Sequence, residues 1–232
     1  LTDGQAICYG NGKFVIADSS GMFYSTTINS AFTKGTGIDD NMHLYYLCYG
    51  NGKFVVSSYN QYTDYIYYST DGINWKKSNT LSFSVLLSAM CYGNGKFVGI
   101  GLGRDFSICS EDGINWTSKR FTKMDGLCKG VCYGNGKFVG ILQNTNQVIR
   151  SEDGLNWEID SCLPLVADWY NIAYGNGIFL ACSYSTPDAV YSEDGKHWYS
   201  IDLGLSSDHR SICYGNGKFI IDCNDTNVYI IE

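Results

Sequence analysis

The octapeptide CYGNGKFV at residues 8–15 decides the fold, because close copies of it recur along the whole chain of 232 residues. Further copies begin at Cys48, Cys91, Cys132, Ala173 and Cys213. Successive copies start 40, 43, 41, 41 and 40 residues apart. Periods in this range are typical of helical solenoids and of propellers whose blades contain four short strands. The chain is therefore a repeat array, and the pattern inside one unit has to distinguish these two architectures.

Each unit has the pattern of short strands. In the second unit an apolar, tyrosine-rich run at 44–49 is followed by the turn residues 50–52, and further apolar runs lie at 54–56 and 65–68. Asn-Gly between two apolar runs is a strong hairpin signal, because both residues accept the positive φ of a tight turn. No window favours a long amphipathic helix. The pattern predicts an all-β fold, a six-bladed β-propeller with about four antiparallel strands per blade and an incomplete last blade.

The repeats predict a single β-propeller domain over residues 1–232. Its six units span approximately 5–43, 44–86, 87–127, 128–168, 169–208 and 209–232. With 44% hydrophobic and 15% aromatic residues, the chain can bury a substantial core. The last unit stops before a fourth strand, which leaves two alternatives open. The domain belongs to a longer chain or assembly, or its ring closes without a full strand exchange.

A second motif recurs in four of the six units. It reads YSTDGINW at 68–75, CSEDGINW at 109–116, RSEDGLNW at 150–157 and YSEDGKHW at 191–198. The motif resembles the Asp box of sialidase-like β-propellers, a hairpin between the third and fourth strands of a blade, although each copy is one residue shorter between Ser and Trp. We expect the aspartate to accept N–H groups of its own turn and the tryptophan to pack against the next blade. A structural role is therefore predicted for Asp71, Trp75, Asp112, Trp116, Asp153, Trp157, Asp194 and Trp198.

Antiparallel strand order separates the repeated sequence from the variable sequence. If the strands of a unit are a to d, the a–b turns and c–d hairpins lie on one face, and the b–c and d–a loops lie on the other. These variable loops are rich in Tyr, Asp, Asn and Ser, a composition typical of recognition surfaces and of sugar-binding sites. The predicted ligand-binding residues on this loop face are Trp169, Tyr170, Asp168, Tyr59, Tyr62, Tyr184, Asp188, His209, Arg210 and Asp40.

The sequence thus predicts a non-enzymatic recognition module that binds a cell-surface glycan or another host-surface ligand. Its units resemble those of propellers in bacterial and phage proteins, notably phage tail and secreted surface proteins, and the resemblance implies host attachment. A protein–protein interaction scaffold is the first alternative. The second is a glycoside hydrolase of sialidase-like architecture, but the four arginines lie in no recognisable motif, and the loop carboxylates show no acid and nucleophile signature. We therefore predict no catalytic residue.

The ten cysteines predict reduced thiols and no disulfide framework. Five of them share one position in the repeat, and Ala173 holds that position in the fifth unit, so the position favours a small apolar residue. Equivalent points on packed sheets are about 10 Å apart, further than a disulfide can span. No spacing of Cys or His fits a metal site, and we predict no metal and no cofactor. Thiol-rich usage is typical of a reducing compartment, such as a bacterial cytoplasm or a virion-associated setting.

The charge of the chain restricts its partners. A net charge of −7 and a pI near 4.9 argue against nucleic acid as a partner. No apolar run is long enough to insert into a membrane, and no signal peptide is seen. One local exception is a set of lysines at equivalent turn positions, which are either simply solvated or a docking surface for an acidic partner. These are Lys13, Lys53, Lys96, Lys137 and Lys218, with Ile178 at the remaining position.

Overall fold

The protein folds entirely into β-strands within the described part of the chain. The computed structural model describes residues 4–39, 41–60, 64–79, 86–103, 105–121, 124–204, 209–223 and 228–231. The strands in these ranges form six antiparallel sheets, five with four strands and the last with three. None of the described residues belongs to a helix with the length and hydropathy that a membrane crossing requires.

Three sheets come from the first half of the chain. Sheet 1 contains β1 (Gly4–Gly10), β2 (Lys13–Asp18), β3 (Gly21–Ser25) and β4 (Thr33–Lys34). Sheet 2 contains β5 (His43–Gly50), β6 (Lys53–Tyr59), β7 (Asp64–Ser69) and β8 (Lys76–Lys77). Sheet 3 contains β9 (Leu87–Gly93), β10 (Lys96–Gly101), β11 (Phe106–Ser110) and β12 (Thr117–Arg120).

Three further sheets follow. Sheet 4 contains β13 (Cys128–Gly134), β14 (Lys137–Leu142), β15 (Gln147–Ser151) and β16 (Glu158–Ser161). Sheet 5 contains β17 (Trp169–Gly175), β18 (Ile178–Ser183), β19 (Asp188–Ser192) and β20 (Tyr199–Asp202). Sheet 6 contains β21 (His209–Gly215), β22 (Lys218–Cys223) and β23 (Val228–Ile231).

In every sheet the strands lie side by side in chain order, and each pairs antiparallel with the next. This is the order of a propeller blade. The prediction of an all-β, six-bladed β-propeller with an incomplete last blade is confirmed. The chain also divides into two compact units, the first formed by residues 1–101 and 108–118 and the second by residues 102–107 and 119–232. That all 232 residues form one domain stays a prediction.

The Asn-Gly pairs form the tight turns that the sequence predicts. The six turn asparagines have φ between 43° and 49°, and the glycines that follow them have φ between 71° and 83°. Positive φ at both central residues is typical of the type I′ turn, whose twist matches that of the flanking strands. The asparagine side chains also link neighbouring sheets. Asn51 Nδ2 donates to the carbonyl oxygen of Glu111 at 3.0 Å, and Asn135 Nδ2 donates to that of Glu193 at 3.1 Å.

At four of the Asn-Gly turns the glycine that precedes the turn forms a joint with a tyrosine of the neighbouring sheet. Within the compact unit of residues 1–101 and 108–118, a Cβ atom added to Gly50 would overlap ring carbons of Tyr92. Within the compact unit of residues 102–107 and 119–232, the same overlap occurs between Gly134 and Tyr174. The tyrosine ring therefore lies directly on the glycine backbone of the preceding sheet. This contact explains the Tyr-Gly pairs at Gly10, Gly50, Gly134 and Gly175, since any larger residue at the glycine would displace the ring, whereas an added Cβ at Gly215 meets no atom within 4 Å.

The four DG hairpins, at 68–75, 109–116, 150–157 and 191–198, share one hydrogen-bond pattern. In the first, Asp71 Oδ1 accepts the N–H groups of Ile73 and Asn74, both at 2.8 Å, and Ser69 Oγ accepts the N–H of Gly72 at 2.9 Å. Burial raises the pKa of the Asp71 carboxyl, but the hydrogen bonds from Asn74, Ile73 and Ser69 outweigh burial and lower it. The same balance lowers the pKa of Asp112 to about 2.

The tryptophans of the DG hairpins pack differently from the prediction. Trp75 belongs to a buried cluster with Val15 and Ala17 of sheet 1, and its indole Nε1 lies close to Gly35. Trp198 belongs to a cluster with Val139 of sheet 4. The expectation that these rings pack against the next blade is wrong, since both contact the preceding one. The DG hairpins therefore pack against the sheet that precedes them in the chain.

The repeated cysteine position is a packing position. Burial raises the pKa of the Cys8 thiol to about 12, and burial together with the neighbouring Cys91 and Cys8 thiols raises that of Cys48. These groups therefore stay protonated at neutral pH and contribute to packing as small apolar side chains. Six thiols form no disulfide with a described residue, namely those of Cys8, Cys48, Cys128, Cys162, Cys182 and Cys213.

Candidate ligand-binding site at the loop end of sheet 5

The first strand of every sheet contains a β-bulge near its start, at the end of the sheet that faces the variable loops. In sheet 5, Trp169 pairs with Ser183 and Asn171 with Cys182, so Tyr170 has no partner of its own in β18. A bulge changes the direction of side chains and often lies beside a functional site. The bulged residues in the six sheets are Gln5, Tyr45 with Tyr46, Ser88, Lys129, Tyr170 and Arg210.

The bulge in β17 separates two adjacent aromatic residues. Trp169 is fully buried, and its indole Nε1 donates to the carbonyl oxygen of Thr145 at 3.1 Å. Tyr170 is 39% exposed. The sequence places Trp169 on the ligand-binding surface, but a fully buried ring has no face on which a ligand can stack. Trp169 anchors the loop, and Tyr170 is the aromatic residue available to a ligand.

A second exposed tyrosine lies beside Tyr170. Tyr184, in the loop between β18 and β19, is 37% exposed, and the two ring centroids are 6.3 Å apart with an interplanar angle of 40°. Lys129, the bulged residue of β13, holds its ammonium nitrogen 5.7 Å from the centroid of the Tyr170 ring. That distance is within the range of a cation–π interaction. The two rings therefore form a tilted aromatic surface with a cation at one edge.

Asp168 fixes the backbone of this loop and adds a carboxylate. Its N–H donates to Ser185 Oγ at 2.9 Å, and its carbonyl oxygen accepts the N–H of Tyr184 at 2.9 Å. Its carboxylate atom Oδ1 is shielded from solvent and accepts no hydrogen bond from the described residues. A shielded carboxylate oxygen without a donor is energetically costly. A ligand cannot reach the shielded Oδ1, but the other carboxylate oxygen is not shielded and also accepts no hydrogen bond from a described residue, so it is available to a donor from outside.

The structure brings together three of the ten predicted site residues, namely Asp168, Tyr170 and Tyr184. Asp188 begins β19 in the same sheet, opposite Asp202 of β20. Tyr59 ends β6 of sheet 2, where it is half-buried and pairs with Asp64 of β7. Tyr62 and Asp40 lie outside the described residues, as do the side chains of His209 and Arg210. The role of each of these residues in binding stays a prediction.

Sequence reasoning missed Lys129 and the bulge itself. Lys129 stands between Cys128 and Gly130 in an apolar run and has no motif around it. A signal is present in the repeat, because the residue three positions before the repeated cysteine is the bulged one in five of the six sheets when Ala173 is counted as its equivalent. That position holds Gln5, Ser88, Lys129, Tyr170 and Arg210.

The site has the groups of a binding surface. It combines two aromatic rings, one carboxylate and one ammonium, and it lies on loops held by the rigid strands β17 and β18. Within the described ranges no group of three or more His, Cys, Asp or Glu side chains is arranged to hold a metal ion.

No family model and no curated protein matches the chain. The chain is similar to a solved structure of virginiamycin B lyase from Staphylococcus aureus, catalytically inactive and with quinupristin, at 10% identity and a TM-score of 0.85 over 99% of this chain and 80% of that one. It is similar to YCF48 bound to D1 peptide, at 11% identity and a TM-score of 0.72 over 100% and 79%. It is also similar to the WD40 β-propeller domain of Doa1, at 11% identity and a TM-score of 0.70 over 98% and 78%. At these identities the likeness shows the fold alone.

Proposed function

We propose that this protein is a non-enzymatic recognition module that binds a cell-surface glycan at the loop end of sheet 5. The observation that carries the proposal is the pair of exposed rings, Tyr170 and Tyr184, next to the carboxylate of Asp168, which accepts no hydrogen bond from a described residue. Sugars present C–H faces that stack on aromatic rings and hydroxyl groups that donate to carboxylates. A saccharide therefore matches both features of the site, and a purely apolar ligand matches only one.

The support from other proteins is at the level of binding in general. YCF48 is solved with a peptide, and the lyase structure contains quinupristin, so propellers with similar folds bind ligands of different chemistry. A fold alone does not determine function. The proposal of a glycan therefore depends on the side chains of this chain. Host attachment, as in the phage and bacterial surface proteins that its repeats resemble, is the setting we propose for that binding.

A protein–protein scaffold is the second candidate, and one observation favours it. Val166, in the loop that leads to Asp168, is 65% exposed. Together with Tyr170 and Tyr184 it gives the loops a contact area with apolar and aromatic parts, which protein interfaces favour. Donors from a protein would satisfy Asp168 equally well, so the glycan proposal is preferred for the tilted pair of rings, on which the C–H face of a sugar stacks.

A glycan array followed by calorimetry tests the proposal. We expect saturable binding to a defined group of saccharides, and we expect Tyr184→Ala and Asp168→Asn each to weaken it about tenfold, as the loss of one stacking or charge-assisted contact does. Tyr199→Ala is the matched control, because Tyr199 is also an exposed tyrosine of sheet 5 and also pairs with a second tyrosine, Tyr191, at 5.6 Å.

Three results would contradict the glycan proposal. One is an array without any binding, and another is binding that Tyr199→Ala weakens as much as Tyr184→Ala does. The third is a protein complex that forms with an array-negative sample and depends on Val166, which would favour the scaffold. Turnover of an aryl glycoside that Asp168→Asn abolishes would instead establish an enzyme.

A further inference from the structure

The compact unit of residues 102–107 and 119–232 contains a cavity of about 500 Å³ beside the DG hairpin at 150–157. It lies at the turn end of the sheets, opposite the loop end that holds Tyr170 and Tyr184. Its wall comes from the end of β12, the start of β14 and that hairpin. A volume of this size is typical of small-molecule sites. The residues that matter for its chemistry are Lys119, Arg120, Phe121, Lys137, Glu152 and Trp157.

Three cations of the wall have no carboxylate partner in the described part of the chain. Lys119, Arg120 and Lys137 form no ion pair with a described residue. Lys119 Nζ instead donates to Asn156 Oδ1, which holds the ammonium group at the cavity. Charges gathered in a concave surface produce a stronger field than the same charges on an open one.

Most acidic groups of the wall are already engaged. Asp153 accepts hydrogen bonds from the N–H groups of Leu155 and Asn156 at 2.9 and 2.7 Å, and from Asn156 Nδ2 at 2.5 Å. Glu158 pairs with Arg150, which also pairs with Asp160 of the same sheet. Only Glu152 remains exposed without a described ion pair. The wall therefore holds three cations without a described ion pair against two carboxylates, Glu152 and Asp153, because hydrogen bonds from N–H groups leave the charge of Asp153 in place.

The cavity also has an aromatic side. The Phe121 and Trp157 ring centroids are 6.3 Å apart. The indole Nε1 of Trp157 donates to the carbonyl oxygen of Gly154 at 3.1 Å, so this N–H needs no acceptor from a ligand. The polar and apolar parts of the wall thus have separate roles. The cations can bind a charged head group while the rings contact an apolar body.

Corresponding positions beside the DG hairpins at 109–116 and 191–198 lack this charge. Ser78 and Asn79 stand before the hairpin at 109–116 where Lys119 and Arg120 stand before the one at 150–157. The counterpart of Lys137 is Lys96, which forms an ion pair with Glu111 at 3.9 Å. The strand before the hairpin at 191–198 is β16, which holds Glu158 and Asp160. The three cations without a described ion pair are therefore not a property of every repeat.

We propose that this cavity is a second binding site, which takes the oxyanion group of a small aromatic ligand such as an aryl phosphate, aryl sulfate or aryl carboxylate. The cations at 119, 120 and 137 bind the oxyanion, and Phe121 and Trp157 contact the ring. Charge-assisted hydrogen bonds to a phosphate or sulfate are the strong ones in proteins. The proposal is independent of glycan binding at the loop end.

Indole N–H signals in ¹H–¹⁵N NMR spectra test this site on the full chain. The Trp157 signal is assigned with Trp157→Phe, and phenyl phosphate, phenyl sulfate and benzoate are titrated at constant ionic strength. We expect a saturable shift of this signal with at least one of the three, and which of them saturates identifies the preferred oxyanion. Phenol, which lacks the charged group, is expected to leave the signal unchanged.

Variants then test the cations. Arg120→Gln and Lys137→Gln each remove one charge, and each is expected to weaken the binding of the preferred probe about fivefold or more. Lys76→Gln is the matched control, since Lys76 is an exposed lysine of the equivalent strand β8 and lies outside the cavity. The proposal is overturned if no probe saturates, if phenol binds as well, or if Lys76→Gln weakens binding as much as the two cavity variants.

Discussion

The two ends of sheet 5 use similar residues in opposite ways. At the turn end, Gly175 lies under the Tyr214 ring, and Asp194 accepts the N–H groups of Lys196 and His197, both at 2.8 Å. At the loop end, Tyr170 is exposed, and the Oδ1 atom of Asp168 has no described donor. The repeated residues therefore make their packing contacts and hydrogen bonds within the protein. The variable residues keep bonding capacity for something outside it.

The largest expected effect separates two neighbours at the loop end. Trp169→Ala should lower the free energy of unfolding by about 4 kcal/mol, because it empties a fully buried indole site. Tyr170→Ala should lower it by less than about 1 kcal/mol, since the ring is exposed at a bulge. Urea unfolding measures both. Equal losses would mean that the bulge does not divide core from surface here.

At the turn end, Gly50→Ala should lower the free energy of unfolding by about 3 kcal/mol, because the new methyl group overlaps the Tyr92 ring. Gly52→Ala, two residues later, has open space around its Cβ and only the strain of φ 72°. It should lose about 1 kcal/mol. Chemical denaturation of the two variants compares crowding with backbone strain, and a larger loss for Gly52→Ala would contradict the joint described between sheets.

Acid should weaken the turn end. The carboxyl pKa of Asp112 is about 2 in the folded protein, below its ordinary value of 3.8, so its contribution is present above pH 4 and is lost as the pH falls towards 2. The pKa values of Asp71, Asp153 and Asp194 are lowered as well. We expect a total loss of about 2 kcal/mol between pH 5 and pH 2, after allowance for solvent screening of partly exposed groups.

Urea unfolding at several pH values measures this loss, and Asp112→Asn is its control. The variant cannot titrate at that position, so its stability should fall less steeply below pH 4 than that of the unchanged protein. Identical slopes would show that the hydrogen bonds of the DG hairpin at 109–116 do not stabilise the fold.

The smallest expected effect concerns the turn asparagines. Asn51→Gly keeps a residue that tolerates φ 43° but removes the hydrogen bond to Glu111, and it should lower the free energy of unfolding by about 1 kcal/mol. Asn144→Gly provides the comparison, because Asn144 also has positive φ, at 58°, and its exposed side chain has no described partner. Thermal unfolding should show a lower midpoint for Asn51→Gly than for Asn144→Gly.

The fold could be predicted because its information is local and repeated. Asn-Gly requires positive φ, and Tyr-Gly pairs and DG hairpins recur at a fixed period, so a short stretch such as 48–52 is enough to place a hairpin. The direction in which Trp75 packs could not be predicted. It depends on how one sheet leans on another, and no residue near Trp75 in the sequence encodes that.

The candidate site could be predicted only in part. Composition indicated Asp168, Tyr170 and Tyr184, but it also indicated Trp169, which is buried. The difference between Trp169 and Tyr170 comes from one unpaired residue in β17, because a bulge changes which side chains alternate into the core. The cavity beside the DG hairpin at 150–157 could not be predicted, because Arg120, Lys137 and Trp157 lie far apart in sequence and come together only after folding.

The bulge at the start of each first strand has a consequence for how this protein can change. A residue without a cross-strand partner can be replaced without disturbing the ladder on either side of it. The six sheets already hold glutamine, tyrosine, serine, lysine and arginine at this place. A randomised library at residues 5, 129 and 170 should therefore yield mostly folded proteins with new surfaces, which makes the scaffold a starting point for engineered binders. Ser88 is left out because it is buried and donates to the carbonyl oxygen of Ile100.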